Sequence, residues 1–506
     1  MANHLFLPLL VPLLGAVLAT LVGQGRTTAR TIALLAALFN LGYSGWLLWL
    51  VGTTGRQITQ ASSYAAPFGI TLVADGLSAI MLCLTALLMT VTIIYSFATV
   101  SAERERFYYY PLLLLLMFGC GGAFLTGDLF NLYVWFEVLL VASFGLITLG
   151  GERGQLEGGL KYVVLNLFGS TCFLIGAGLL YGVAGTLNMA HLAERLGTLQ
   201  HSPLITAIAG FFLFAFSSKA GLVPVFFWLP TSYHTPAIAV SALFSGLLTK
   251  VGVYALFRVF GTVFPRELER YGGLILVIAG LTMVVGVVGA MAQVEVRRVL
   301  SFHIVSQVGY MIMGLGLVGV AGLTAGILYM VHHIIVKTAL FLIGGAAEHL
   351  AGTGELKQMG GMARREPILA TLWLLASISL AGLPPLSGFF GKLGLIQTGV
   401  QQQQWLIVGV SVAVSLFTLF SMLKIWNEVF WKQAPGDVSV LPRATLGLVA
   451  PGALLVALSL AIGFGAAPVL KYSRFAATQL LDTQSLVREV CGPDGCDAVT
   501  STVSER

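Results

Sequence analysis

Apolar runs long enough to cross a bilayer follow one another along the whole chain, separated by short polar breaks. Counting runs of roughly 17 to 25 apolar residues gives about 14 helices. Their limits lie near 5–22, 30–51, 75–99, 109–126, 129–149, 159–184, 203–229, 236–260, 272–293, 299–319, 323–347, 367–397, 405–430 and 446–470, numbered here as spans 1 to 14. The pattern predicts an all-α polytopic membrane protein. No basic residue precedes the run Leu5 to Val22 and no small-residue cleavage pattern follows it, so it reads as a retained first span. Spans 7 and 12 are too long and too interrupted to be plain helices. The first contains Pro224 and Pro230, the second Pro384, Pro385 and Gly388. Each is expected to break mid-membrane into two half-helices, whose freed backbone groups must then face protein or a cavity.

Composition excludes the soluble alternative. The 506 residues are 57% hydrophobic and 9% charged, with a mean hydropathy of +0.91, whereas soluble domains carry about 25% charged residues. The basic residues alternate: odd-numbered loops hold Arg26, Arg30, Arg104, Arg106, Arg153, Lys161, Arg297, Arg298, Lys357, Arg364, Arg365, Lys432 and Arg443, and even-numbered loops hold only Arg56, Arg195, Arg258, Arg266 and Arg270. By the positive-inside rule the odd loops are cytoplasmic and both termini lie outside a cell membrane. The net charge of +6 thus reflects topology, not nucleic-acid binding.

Six charges fall inside spans: Glu137, Lys219, Lys250, Lys337, Lys392 and Lys424. A charge in hydrocarbon is costly and normally marks an ion or proton path or a substrate site. Lys219 lies deep in span 7, just before Gly221 and Pro224, too far in for its stem to snorkel comfortably. Lys250 and Lys337 are central, and His333 shares the helical face of Lys337 one turn earlier. His332 points about 100° away and fits a packed core histidine as well as a relay. Lys424, nearer a helix end, fits snorkelling as well as function. Glu137 is the one acid squarely inside a span; beside a lysine it forms either a structural ion pair or a switch that holds the lysine's proton on approach and releases it on withdrawal. With Ser217, Ser218, Thr249, Ser301, His303, Ser306 and Gln307 between them, these groups read as a hydrated proton wire. Lys219 and Lys392 are 173 residues apart and Lys250 and Lys424 174 apart. Five spans fit between repeats, and an odd number inverts the second unit, so two inverted five-helix repeats are expected.

The segments FNLYVWFEVLL (130–140), SSKAGLVPVFFWLPTSYHTPAIAVSALFSGLLTKVGVYAL (217–256), HHIIVKTALF (332–341) and AGLPPLSGFFGK (381–392) resemble the antiporter-like subunits shared by Mrp sodium/proton antiporters, respiratory complex I and membrane-bound hydrogenases. Within that family the chain is most similar to the Mrp D-type subunit. The resemblance covers most of the chain. It implies 14 helices, two inverted five-helix repeats, discontinuous seventh and twelfth helices, and charged residues across the membrane plane. Carried over, Glu137 and Lys219 are the paired residues, Lys250 the bridging lysine, His333 and Lys337 the central relay, and Lys392 the terminal lysine.

The expected organisation is three N-terminal helices (1–107), a first repeat (108–262), a second repeat (263–432), and a last helix with a polar, mobile tail (433–506). The expected function is proton translocation within a multisubunit Mrp-type antiporter, with other membrane subunits as partners, no covalent chemistry and no cofactor or metal. The alternative is a proton-pumping subunit of complex I or a membrane-bound hydrogenase. Gly314, Gly316 and Gly319 fit GxGxxG but lie within a span with no preceding strand, which points to close helix packing and not to a dinucleotide fold. Cys83, Cys120 and Cys172 read as small core residues. Cys491 and Cys496 flank a Gly-Pro-Asp-Gly turn and fit either a local disulfide or two free thiols.

Overall fold

A computed structural model describes residues 3–22, 25–199, 202–434 and 442–498. Among these, twelve helices are long and apolar enough to cross a membrane, and two shorter apolar helices, Tyr109–Leu125 and Pro367–Ala381, fall where spans 4 and 12 were expected. The protein is thus a multi-pass helical bundle. Its layers follow from which helices are apolar all round. The most apolar stretches of Ile238–Thr262 and Val320–Ala351 are 100% buried and that of Val296–Gly316 is 94% buried, against 39% for His4–Leu21, Arg153–Ala184 and Trp405–Trp431. Spans 8, 10 and 11 therefore form the axis, and spans 1, 6 and 13 belong to a ring whose outward faces stay apolar.

Parity of the loops is visible in their contacts. At one end Arg30 bonds Glu105, Arg104 bonds Glu152, Arg297 bonds both Glu348 and the Pro236 carbonyl, and the Gly361 N–H donates to the Lys432 carbonyl. These contacts join odd-numbered loops only. At the other end the hairpin strands Gln57–Gln60 and Thr71–Ala74 meet the surface helix Met189–Thr198 and the tail.

Both predicted breaks are present and share one geometry. Gly221 (φ 75°) and Gly382 (φ 92°) take the left-handed conformation that glycine permits. In the first, Leu222 N–H donates to Ser217 O and Gly221 N–H to Ser218 O; in the second, Leu383 N–H donates to Ile378 O and Gly382 N–H to Ser379 O. These are two copies of one helix-ending motif, 161 residues apart. That spacing differs from the 173 residues between the two lysines. Lys219 lies in the last turn before its break, whereas Lys392 lies in Ser387–Gln401, after its own, so the two lysines are not at matching positions. A third interruption, at Leu247 between Ile238–Gly246 and Leu248–Thr262, was not predicted. Gly246 there packs so closely that a Cβ would overlap Thr338 Oγ1 of span 11.

Three further corrections arise. Arg258 is no loop residue: it is buried in the last turns of Leu248–Thr262. Span 14 ends at Phe464, and a separate helix, Ala466–Leu481, follows. The tail, expected to be mobile, is folded through residue 498. Its helix Thr483–Cys491 packs on Met189–Thr198, with Arg56 bonded to Glu489 at 3.2 Å, Asp497 to His191 and Arg195 at 2.9 Å each, and Cys491 joined to Cys496. The hydrogen bond from His191 holds the Asp497 carboxyl below its ordinary range. The glycines of spans 10 and 11 behave as expected: a Cβ on Gly314 would sit 2.6 Å from the Gly326 Cα.

Candidate functional site

The buried charges are arranged along the axis, one helix after another. Lys219, 6% exposed, ends the first half of span 7; its ammonium donates to Ser170 Oγ at 3.0 Å and lies 4.9 Å from the Phe136 ring centroid, a cation–π distance. Gly252 of span 8 packs against the Lys219–Ala220 backbone, with room for no Cβ. Glu137 sits one residue beyond Phe136. It forms no ion pair with Lys219, and its Oε1 is buried without a hydrogen-bond partner. A cavity of about 20 Å³ beside Lys219 is lined by Tyr162, Asn166 and Tyr233. That is room for one water, and Tyr233, whose hydroxyl has no hydrogen-bond partner, lines it.

Lys250 is fully buried and donates to the Ser245 carbonyl at 2.5 Å, a carbonyl within the turn disturbed at Leu247. Beyond it the unbroken helix Val320–Ala351 carries His332, His333 and Lys337, all fully buried. Both ring nitrogens of His333, the Lys337 Nζ, His332 Nε2, His303 Nδ1 and Thr249 Oγ1 have no hydrogen-bond partner. Buried polar atoms are nearly always satisfied and an unpaired one is costly, so this cluster makes the centre of the bundle the candidate site. His332 bonds Ser387 Oγ through Nδ1 at 2.7 Å, and His303 bonds Ser421 Oγ through Nε2 at 2.9 Å.

At the far end Lys392 donates to Ser415 Oγ at 3.1 Å and to the Ala381 carbonyl at 2.9 Å, one of the carbonyls freed by the second break. Its ammonium lies 4.6 Å from the Tyr310 ring centroid. Between Lys392 and the histidines stand Tyr310, Tyr329 and Gln307, the Tyr329 hydroxyl donating to Gln307 Oε1. Lys424 stands apart. Its ammonium donates to the carbonyls of Met291 and Gln293 at 3.0 and 2.8 Å, capping the end of Pro265–Ala292, as a cation at a helix C-terminus does. Among the described residues no group of acidic, histidine and cysteine side chains is placed to hold a metal ion. Sequence reasoning missed Ser170, Tyr310, Tyr329 and the hydroxyls of span 13, which stand out only once their partners are in place.

The family model described as NADH:quinone oxidoreductase/Mrp antiporter, TM, matches residues 126–418, from the end of span 4 through the hydroxyl-bearing turns of span 13. The chain belongs to this family. The D-type subunit of the Na(+)/H(+) antiporter of Alkalihalophilus pseudofirmus is 44% identical over 490 residues, covering 97% of this chain and 99% of that protein. The corresponding protein of Bacillus subtilis is 39% identical with the same coverage. Among solved structures, the Mrp complex of Dietzia sp. DQ12-45-1b contains a chain similar at a TM-score of 0.91 and 34% identity, covering 97% of this chain and 100% of that one. The fold is therefore the family's antiporter-like bundle along nearly its whole length.

The second break offers a direct check on the site's packing. A Cβ on Gly388 would overlap Ser379 O and lie 2.8 Å from His332 Nε2. Gly388→Ala is expected to cost about 1–3 kcal/mol by overpacking, read as a lower melting temperature of the detergent-purified protein; an unchanged transition means the break relaxes freely.

Proposed function

We propose that this chain is the proton-translocating membrane subunit of a multisubunit Mrp-type Na+/H+ antiporter, an ion-transport subunit with no covalent chemistry of its own. The observation that carries the reading is the row of titratable groups held inside the bundle, from Glu137 and the buried Lys219 through Lys250, His333 and Lys337 to Lys392, in which His333, Lys337 and one Glu137 oxygen have no hydrogen-bond partner. Glu137 and Lys219 work as a pair, Lys250 bridges to the central His333–Lys337 relay with His332 and His303 beside it, and Lys392 is the terminal group. Lysine suits the task because burial destabilises its charged form and a nearby carboxylate restores it. The matching breaks of spans 7 and 12 support two inverted five-helix units, residues 108–262 and 263–432, and the basic odd-loop end supports a cytoplasmic-membrane orientation with both termini outside. Partners are other membrane subunits, and the transported ions are protons, with sodium handled in the same assembly.

Mass spectrometry of whatever co-purifies with the chain from native membranes in mild detergent tests this. Small membrane subunits without a flavin or iron–sulfur protein are the expected result; dehydrogenase or hydrogenase subunits overturn it in favour of a redox-driven pump.

A further inference from the structure

Span 13 reads in sequence as an ordinary apolar helix, yet its faces differ. Leu416, Phe417 and Phe420 point outward and are exposed, while Ser415, Thr418 and Ser421 point into the bundle. Each of the three meets a different buried polar side chain. Ser421 Oγ is 2.9 Å from His303 Nε2. Thr418 Oγ1 accepts from Gln307 Nε2 at 3.4 Å. Ser415 Oγ lies 2.8 Å from the Tyr310 hydroxyl and 3.1 Å from Lys392 Nζ. We propose that these three hydroxyls form a ladder that passes the proton between His303 and Lys392, a proposal that rests on the proton-path reading above.

The spacing suits the task. Residues three apart on a helix have Cβ atoms about 5–6 Å apart, a gap that one bridging water closes with ordinary hydrogen bonds. A hydroxyl donates one hydrogen bond and accepts others. As the imidazolium N–H of His303 breaks, its proton forms a new bond to Ser421 Oγ, and the proton Ser421 already held leaves to the bridging water. The same exchange at Thr418 and Ser415 ends with an N–H bond formed on neutral Lys392. Each hydroxyl loses one proton and gains one, and rotation restores the starting orientation. A purely structural role is the competing account, because Ser415 and Thr418 also bond the Ser411 and Val414 carbonyls at 3.0 and 2.8 Å, as hydroxyls in membrane helices commonly do.

The two accounts separate with paired triple variants in the complete complex. Ser415→Ala/Thr418→Ala/Ser421→Ala removes the hydroxyls; Ser415→Thr/Thr418→Ser/Ser421→Thr keeps them and changes the packing. Sodium-driven proton flux in vesicles is expected to fall about a hundredfold in the first, the low end for a positioned proton-transfer group, and to stay within about threefold in the second. Near-wild-type flux in the alanine variant, or equal losses in both, overturns the ladder. Lys392→Ala, measured alongside, keeps the failures distinct: normal flux there overturns the proton-path reading itself, while lost flux there with a normal alanine triple overturns the ladder alone.

Discussion

Lys219→Ala is expected to abolish ion movement while leaving the complex assembled. The ammonium is buried, and its partners are the hydroxyl of Ser170 and the face of Phe136. Among the described residues no carboxylate lies within ion-pair distance of it, so truncation orphans no opposite charge. Removing such a buried cation lifts a desolvation cost that offsets part of the cavity left by its stem, unlike removing one member of a buried pair. Transport and stability should therefore part company. Sodium-driven proton flux in inverted vesicles should drop by at least about a hundredfold, with unchanged subunit recovery on native gels. Normal antiport in that variant would sink the proton-path reading. Glu137→Gln bears on the same pair from the other side: its Oε1 has no hydrogen-bond partner, and neutralising the carboxylate should slow transport and shift its pH dependence. A wild-type pH profile would leave Glu137 without the switching role.

What sequence made legible here was local. Bilayer-length runs marked out fourteen spans because hydrocarbon thickness sets a minimum length, and Pro224 and Pro230, or Pro384, Pro385 and Gly388, announced the breaks because proline cannot continue a helix ladder. The lysines stood out because a charge in an apolar run demands a reason. What stayed hidden depends on partners far away in sequence. Span 8 is interrupted at Leu247, beside the close approach of Gly246 to Thr338, and no proline marks it. The hydroxyls of span 13 do repeat at helical spacing, a signal that was there to be read, but their meaning comes from His303, Gln307 and Lys392. The tail looked mobile because its helix Thr483–Cys491 is polar; its order comes from Arg56, His191, Glu194 and Arg195, all hundreds of residues earlier. The lysine spacing of 173 and the spacing of 161 between the two break motifs differ because Lys219 precedes its break and Lys392 follows its own.

The largest effect on stability is expected from Asp75→Asn. Asp75 and Arg258 are 183 residues apart in sequence and both buried. Arg258 Nη1 donates to Asp75 Oδ2 at 2.5 Å and Nη2 to Oδ1 at 2.7 Å, while Nε donates to the Tyr254 hydroxyl at 3.1 Å. Asp75 stands just before the helix Gly76–Thr99 and caps it, accepting from Ser78 N–H at 2.9 Å. Burial alone would raise its carboxyl, but the Arg258 charge and hydrogen bonds outweigh that and hold it at about 2. Because this lies below the ordinary value of 3.8, the pair's contribution is fully present above about pH 4 and is lost only as pH falls towards 2. Asparagine keeps the cap but leaves the guanidinium buried without a counter-charge, at a cost of about 3–5 kcal/mol. The loss should be the same at pH 6 and pH 8, read as the fall in unfolding midpoint of the detergent-purified protein. Asp75→Asn/Arg258→Met should recover most of it, because the double variant no longer buries an unpaired charge. A single variant as stable as the wild type would mean that water reaches Arg258 and that this end of span 8 is open.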